Sequence, residues 1–218
     1  MQNETIINSA KNFIKKEFDW LCIAHDLYHF ERVYASAIKI FEWEQEWDEL
    51  VVWLWAIFHE MSDDKFFALE SEKQVDKVIN FLDSFEINNE QKEKIIYIVE
   101  NLWYGKSLTW NINKFIEFQI VEEADRLDAI WAIAIARTFA YWWKIKSPIY
   151  DPEVEPLLNI TKEEYYKAWG PSINHFYEKL LKLKDEMRTK VWKEIAQERH
   201  IFMEKYLEQF FAEWNWER

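Results

Sequence analysis

Two imidazoles and two carboxylates hold the chemical promise of this chain: His29, His59, Glu60 and Asp125. Each lies at an end or on the inward stripe of its own helical segment, the adjacent His59-Glu60 pair excepted. Neighbouring residues on a helix project about 100° apart, so His59 and Glu60 can lean into one cavity near a helix end. Imidazole and carboxylate ligands together suit a divalent ion such as Mn²⁺, Fe²⁺, Co²⁺ or Mg²⁺, and the mixed set argues against a cysteine-type structural zinc site. An ion held this way leaves positions for water and a phosphate oxygen, lowers the water's pKa and offsets charge on a leaving group. A lone histidine on a helix stripe is more often a hydrogen-bonded core group, and Asp125 beside Glu122 and Glu123 also reads as a solvated acidic face. Spacing alone leaves both readings open.

Competing motifs fall away. His59-Glu60 begins like the HExxH of zinc proteases, but Asp63 stands where the second histidine is needed. No pair of Glu-x-x-His motifs marks a di-iron bundle, and there is no glycine-rich phosphate loop. Cys22, with only His25 nearby in sequence, reads as structural.

The elements that must bring these groups together read as helices almost throughout. Ile6, Ile7, Ala10, Phe13 and Ile14 recur at helical spacing, giving an amphipathic helix that ends near Phe18. His29, Val33, Ala37 and Ile40 form a second stripe, running on to about Trp47. A third helix, Asp48 to Glu60, is apolar nearly all round, the mark of a central buried helix. Val75 to Phe85 and Asn88 to Leu102 follow as amphipathic helices, the latter capped by Asn88. One long helix is expected from about Ile116 to Ala140, carrying Asp125 and then a small-residue face. Tyr141 to Ile160 holds Pro148, Pro152 and Pro156 and reads as an ordered loop or lid. Two further helices break near Gly170-Pro171, and the last runs from about Lys184 to Phe211. No strand signal, internal repeat or long linker appears. The expectation is an all-α single domain over residues 1–218, with a core of about 20–140 and C-terminal helices at about 161–211.

Composition narrows the function classes. With 50% hydrophobic and 31% charged residues the chain is a globular folder. A net charge of −13 argues against binding nucleic-acid polymers or anionic membranes broadly, while leaving room for a local phosphate pocket. The stretch Met1 to Lys16 lacks the apolar core and cleavage site of a signal peptide, and no apolar run is long enough for a span. A single cysteine fits a reducing cytoplasm, the expected location. The chain also has 2 Gly and 14 Trp, where about 15 Gly would be usual for its length. Trp20, Trp110, Trp142, Trp143 and Trp216 sit where a chain normally turns. One account is a gene whose UGA codons mean glycine but were read as tryptophan; deliberate redesign would look the same.

His29-x-x-Arg32-Val33, His59-Glu60 and Ala124-Asp125-Arg126-Leu127-Asp128-Ala129, in that order, resemble the motifs of the HD-domain metal-dependent phosphohydrolases. The preceding His25-Asp26 pair is similar to the opening of the bacterial branch that resembles nucleotide pyrophosphohydrolases. The likeness runs from about Ala24 to Phe211 and takes in Ile135-Ala136-Arg137-Thr138-Phe139-Ala140, Pro148-Ile149-Tyr150-Asp151-Pro152 and His175-Phe176-Tyr177-Glu178-Lys179-Leu180. It implies an HD-type helical bundle and one divalent metal ion, Mn²⁺ first, with Fe²⁺, Co²⁺, Mg²⁺ or Ni²⁺ as alternatives. The implied ligands are His29, His59, Glu60 and Asp125. Asp63 would position or deprotonate the water, Lys65 would neutralise a phosphate oxygen, and His25, Asp26 and Arg126 would line the substrate pocket. The implied reaction converts a (deoxy)nucleoside triphosphate to a monophosphate and pyrophosphate, in a monomer or homodimer. The alternative is a degenerate HD domain that binds a nucleotide or partner without turnover.

Two departures from the family pattern motivate that alternative. Glu60 replaces the doublet aspartate, its extra methylene moving the carboxylate by over ~1 Å. Tryptophan stands where relatives tend to have glycine, at Trp131, Trp142 and Trp143, although a tryptophan cannot take left-handed backbone as freely as glycine does.

Overall fold

In the computed structural model of the protein the described residues are 2–17, 27–41, 47–61, 71–101, 115–158 and 170–217. All regular structure among them is helical: α1 (Gln2–Glu17), α2 (Leu27–Phe41), α3 (Glu49–Phe58), α4 (Ser71–Asp83), α5 (Asn89–Asn101), α6 (Ile116–Asp128), α7 (Ala132–Lys144), α8 (Asn174–Glu178) and α9 (Lys190–Trp214). A 3-10 helix, Leu180–Glu186, precedes α9. None of these helices is long and apolar enough to cross a membrane. The chain divides into two compact units, Met1–Leu21 with Asp26–Ala124, and Cys22–His25 with Asp125–Arg218.

The first unit is built on α3. Eight of its residues, Leu50, Val51, Val52, Leu54, Trp55, Ala56, Ile57 and Phe58, are buried, as a helix apolar on every side requires. Helices α1, α2 and α5 pack against it, and α4 packs on α5. Ile6, Ile7, Ala10 and Ile14 supply the stripe of α1 that is buried. Burying an isoleucine side chain fully contributes about 1.5–3 kcal/mol. Phe13 joins the core edge-on to Phe58 at 5.9 Å and tilted to Phe81 at 5.3 Å.

Polar groups set where these helices start. Asp48 caps α3, its Oδ1 accepting the N–H groups of Leu50 and Val51 at 3.0 and 3.2 Å. Its Oδ2 accepts from the Gln91 amide at 2.7 Å, tying the starts of α3 and α5 together. Asn88 caps α5 as its sequence suggests: Oδ1 accepts from the Gln91 N–H at 2.8 Å, and the Gln91 side chain accepts from the Asn88 N–H in return. The buried Glu117 of α6 accepts from the Asp48 N–H at 3.5 Å and pairs with Lys94 at 3.1 Å.

In the second unit, α9 packs on α7 and on the 3-10 helix. Phe176 lies between Phe139 at 6.2 Å and Tyr206 at 5.9 Å. The proline-bearing segment 145–158 is ordered and laced onto 170–182. Pro148 and Ile149 carbonyls accept the N–H groups of Ser172 and Ile173, Asn174 donates to the Val154 carbonyl, and Glu178 accepts from Leu157 N–H at 3.1 Å. Lys182 closes the segment on the Leu158 carbonyl at 2.6 Å.

Several boundaries differ from expectation, the start of α4 at Ser71 rather than Val75 and the end of α2 at Phe41 rather than about Trp47 among them. The long helix of 116–140 is two helices, α6 and α7, because Trp131 takes φ 109°, a left-handed backbone that no α-helix accommodates. The final helix starts at Lys190 rather than Lys184, because Met187 and Thr189 are extended (ψ 136° and 146°) and confine 180–186 to 3-10 turns. Trp142 and Trp143, expected at a turn, belong to α7, which runs on to Lys144.

Candidate metal centre

His29 lies on the inward stripe of α2 with Val33 and Ala37, all three buried. His59 follows the last residue of α3, still in right-handed backbone, and Glu60 comes next in the turn that Met61 N–H closes on the Phe58 carbonyl at 2.9 Å. The three side chains are nearly sealed: His29 is 1% exposed, His59 4% and Glu60 5%. Asp125 lies in the last turn of α6.

His59 Nδ1 lies 2.8 Å from the Ala56 carbonyl. A carbonyl only accepts, so Nδ1 carries the proton and the neutral ring turns its Nε2 lone pair inward. Imidazoles that hold metals are usually oriented by this kind of backbone bond. The Nε2 atoms of His29 and His59 face each other at 3.1 Å, and Glu60 Oε1 lies 3.2 Å from the first and 4.0 Å from the second. A circle through three atoms with those separations has a radius of about 2.0 Å, and metal–imidazole bonds are about 2.0–2.1 Å long. A cation at the centre of that triangle would therefore touch all three at bonding distance. The donor set fits a divalent ion of the nitrogen-and-oxygen class.

Aromatic rings wall the histidines. Phe30 meets His59 at 5.3 Å edge-on, Trp55 meets it at 6.0 Å, and Phe30 lies 5.8 Å from His29. Low-dielectric surroundings raise the cost of an uncompensated carboxylate at Glu60 and strengthen any charge that balances it.

Of the expected ligands, His29, His59 and Glu60 lie within 4.0 Å of one another, and Asp125 is carried on α6. Arg126, expected in the substrate pocket, pairs with Glu186 at 2.7 Å. His25, Asp26, Asp63 and Lys65 lie outside the described residues. Sequence reasoning did not find the Ala56 carbonyl that orients His59, nor Arg199, whose Nη1 donates to the Leu127 carbonyl and closes the end of α6. The first had a faint signal in the three-residue spacing at a helix end. The second had none, being 72 residues away.

No family model matches the chain. YpgQ of Bacillus subtilis, described as uncharacterized, is 32% identical over 188 residues, covering 85% of this chain and 82% of YpgQ. A crystal structure of a Lactobacillus plantarum protein superposes with a TM-score of 0.86 at 30% identity over 99% of both chains. An HD-superfamily hydrolase from Bacillus thuringiensis does so with a TM-score of 0.75 at 34% identity over 98% of both. YpgQ solved in complex with ADP gives 0.75 at 28% identity, over 98% of this chain and 97% of YpgQ. With this likeness over nearly its whole length, the chain belongs to the HD superfamily of hydrolases.

Proposed function

We propose that this protein is a metal-dependent phosphohydrolase acting on nucleotides, converting a (deoxy)nucleoside triphosphate to a monophosphate and pyrophosphate. One observation carries the reading: His29 Nε2, His59 Nε2 and Glu60 Oε1 lie on a circle of about metal-bond radius. The ADP complex of YpgQ supports a nucleotide as the ligand class.

His29, His59, Glu60 and Asp125 would hold the ion, Mn²⁺ first. Bound there, it would supply Lewis acidity and lower the pKa of a water. The Ala56 carbonyl keeps the His59 proton on Nδ1, so Nε2 stays a donor pair rather than an N–H. Phe30 and Trp55 exclude bulk water from the imidazoles and sharpen the local electrostatics. Asp63 takes the proton of the attacking water as its oxygen bonds in line to phosphorus, and the bond to the pyrophosphate oxygen breaks. Lys65 balances charge on the non-bridging oxygens, while His25, Asp26 and Arg126 orient the nucleotide.

The test is a nucleotide panel with purified protein and Mn²⁺, read by product identity. Monophosphate with pyrophosphate is the expected pair. Inorganic phosphate from a monophosphate would move the scissile bond and keep the class. A panel left intact at every metal tried would favour the rival reading, a domain that binds a nucleotide without turning it over, which Glu60 in the family's aspartate position motivates.

A further inference from the structure

We infer that residue 131 is a glycine in the protein as its own cell makes it, the tryptophan being a misreading of a codon that the cell translates as glycine. Three described non-glycine residues take positive φ: Trp131 at 109°, Lys146 at 59° and Trp216 at 59°. Two of the three are tryptophan, a residue whose bulk makes it among the least suited to such backbone.

Lys146 and Trp216 hold the same post at the ends of α7 and α9. Behind α7, Lys146 N–H donates to the Trp143 carbonyl and Ser147 N–H to the Trp142 carbonyl, each at 3.0 Å. Behind α9, Trp216 N–H donates to the Glu213 carbonyl and Glu217 N–H to the Ala212 carbonyl, at 3.1 and 2.8 Å. Both are the helix-ending motif whose left-handed residue is most often glycine. Lys146 shows that an ordinary residue can take this post, so Trp216 alone decides little.

Trp131 decides more. Its φ of 109° with ψ of −167° falls in the region that is essentially glycine's alone. The residue also starts α7: its carbonyl accepts the Ile135 N–H at 3.0 Å, and its side chain makes no cap bond. Glycine is an acceptable residue at that position. The indole is 40% exposed, touching Phe202 at 6.3 Å and the Arg199 guanidinium at 4.9 Å. These are surface contacts that do not require this backbone. A chain with 2 Gly and 14 Trp thus places a tryptophan where the backbone is built for glycine. The turn is no bystander, since it follows six residues after Asp125 and separates α6 from α7.

Two measurements test the inference. The codon for residue 131 should be UGA, and the peptide spanning it from the native host should have the mass of a glycine peptide; UGG at that codon overturns the inference. In protein made with tryptophan there, W131G and W131A lose the same indole contacts and differ only in backbone freedom. At an ordinary position alanine is the more stable of the two. Here W131G should unfold at a higher urea concentration than W131A. At the exposed helical Trp143 (79%) the order should reverse, W143A above W143G. A W131A midpoint equal to or above that of W131G overturns the inference.

Discussion

Shortening Glu60 by one methylene separates the two readings of this protein, because they predict opposite signs. Glu60→Asp removes a C–C bond of about 1.5 Å and draws the carboxylate back by over about 1 Å. Glu60 Oε1 now sits 3.2 Å from His29 Nε2 and 4.0 Å from His59 Nε2, on a circle of about 2.0 Å radius. Retreat would leave that oxygen near 3 Å from the centre, outside any metal–oxygen bond of about 2.0–2.2 Å. Loss of an outer hydrogen-bond partner alone costs about 10–100-fold in metal affinity, so loss of a direct ligand should cost at least about tenfold. That is about 1.4 kcal/mol or more. Calorimetric titration with Mn²⁺ gives the affinity directly. The rise in thermal midpoint on adding Mn²⁺ gives it independently, because a ligand that binds only the folded state stabilises it in proportion to the logarithm of its concentration over Kd. Glu60→Gln serves as control, keeping the length and losing the charge. Equal or tighter Mn²⁺ binding by Glu60→Asp would refute the argument from the triangle. If that variant also turned over nucleotides that the parent leaves intact, the parent would be a binding domain.

Three further outcomes are expected. Asp48→Ala removes the cap of α3 and the Gln91 contact, and should cost about 1–2 kcal/mol in urea unfolding, an unchanged midpoint counting against the cap. Arg199→Met leaves the Leu127 carbonyl without its guanidinium partner and should lower stability by about 1.5–3 kcal/mol; full stability would show that the end of α6 is held otherwise. Burial holds the Glu178 carboxyl above its ordinary value of 4.5, against the opposing pulls of the Leu157 N–H and Lys182. A raised folded pKa gives stability that is present below 4.5 and is lost as pH rises through the folded value, so urea midpoints should fall across that window and fall less in Glu178→Gln. Identical pH profiles for the two proteins would contradict this.

The helices were legible because their apolar residues recur at helical spacing. Ile6, Ile7, Ala10 and Ile14 mark α1 and are buried, and the all-apolar run Leu50–Phe58 is the helix that others pack around. Local capping was legible too, at Asn88, because a cap is a contact between residues two or three apart. The break between α6 and α7 was not. Ala129, Ile130 and Trp131 carry no turn residue, and their small and apolar types continue the helical pattern. Nor was the 3-10 stretch of 180–186, where nothing in Leu180-Leu181-Lys182-Leu183 distinguishes it from an α-helix. At the site, residue types and order pointed to His29, His59, Glu60 and Asp125, whereas their separations depend on how helices pack. The Ala56 carbonyl is backbone, and backbone groups leave no mark in a list of side chains.

Trp55 is fully buried and lies 6.0 Å, ring to ring, from His59. An indole that close is an optical reporter built into the centre. A paramagnetic ion arriving at the imidazole would drain its excited state and shorten one component of the emission decay, while the exposed Trp143 and Trp216 kept theirs. Loading of the site could therefore be followed by ultraviolet light alone, with no label attached and no substrate in the cuvette.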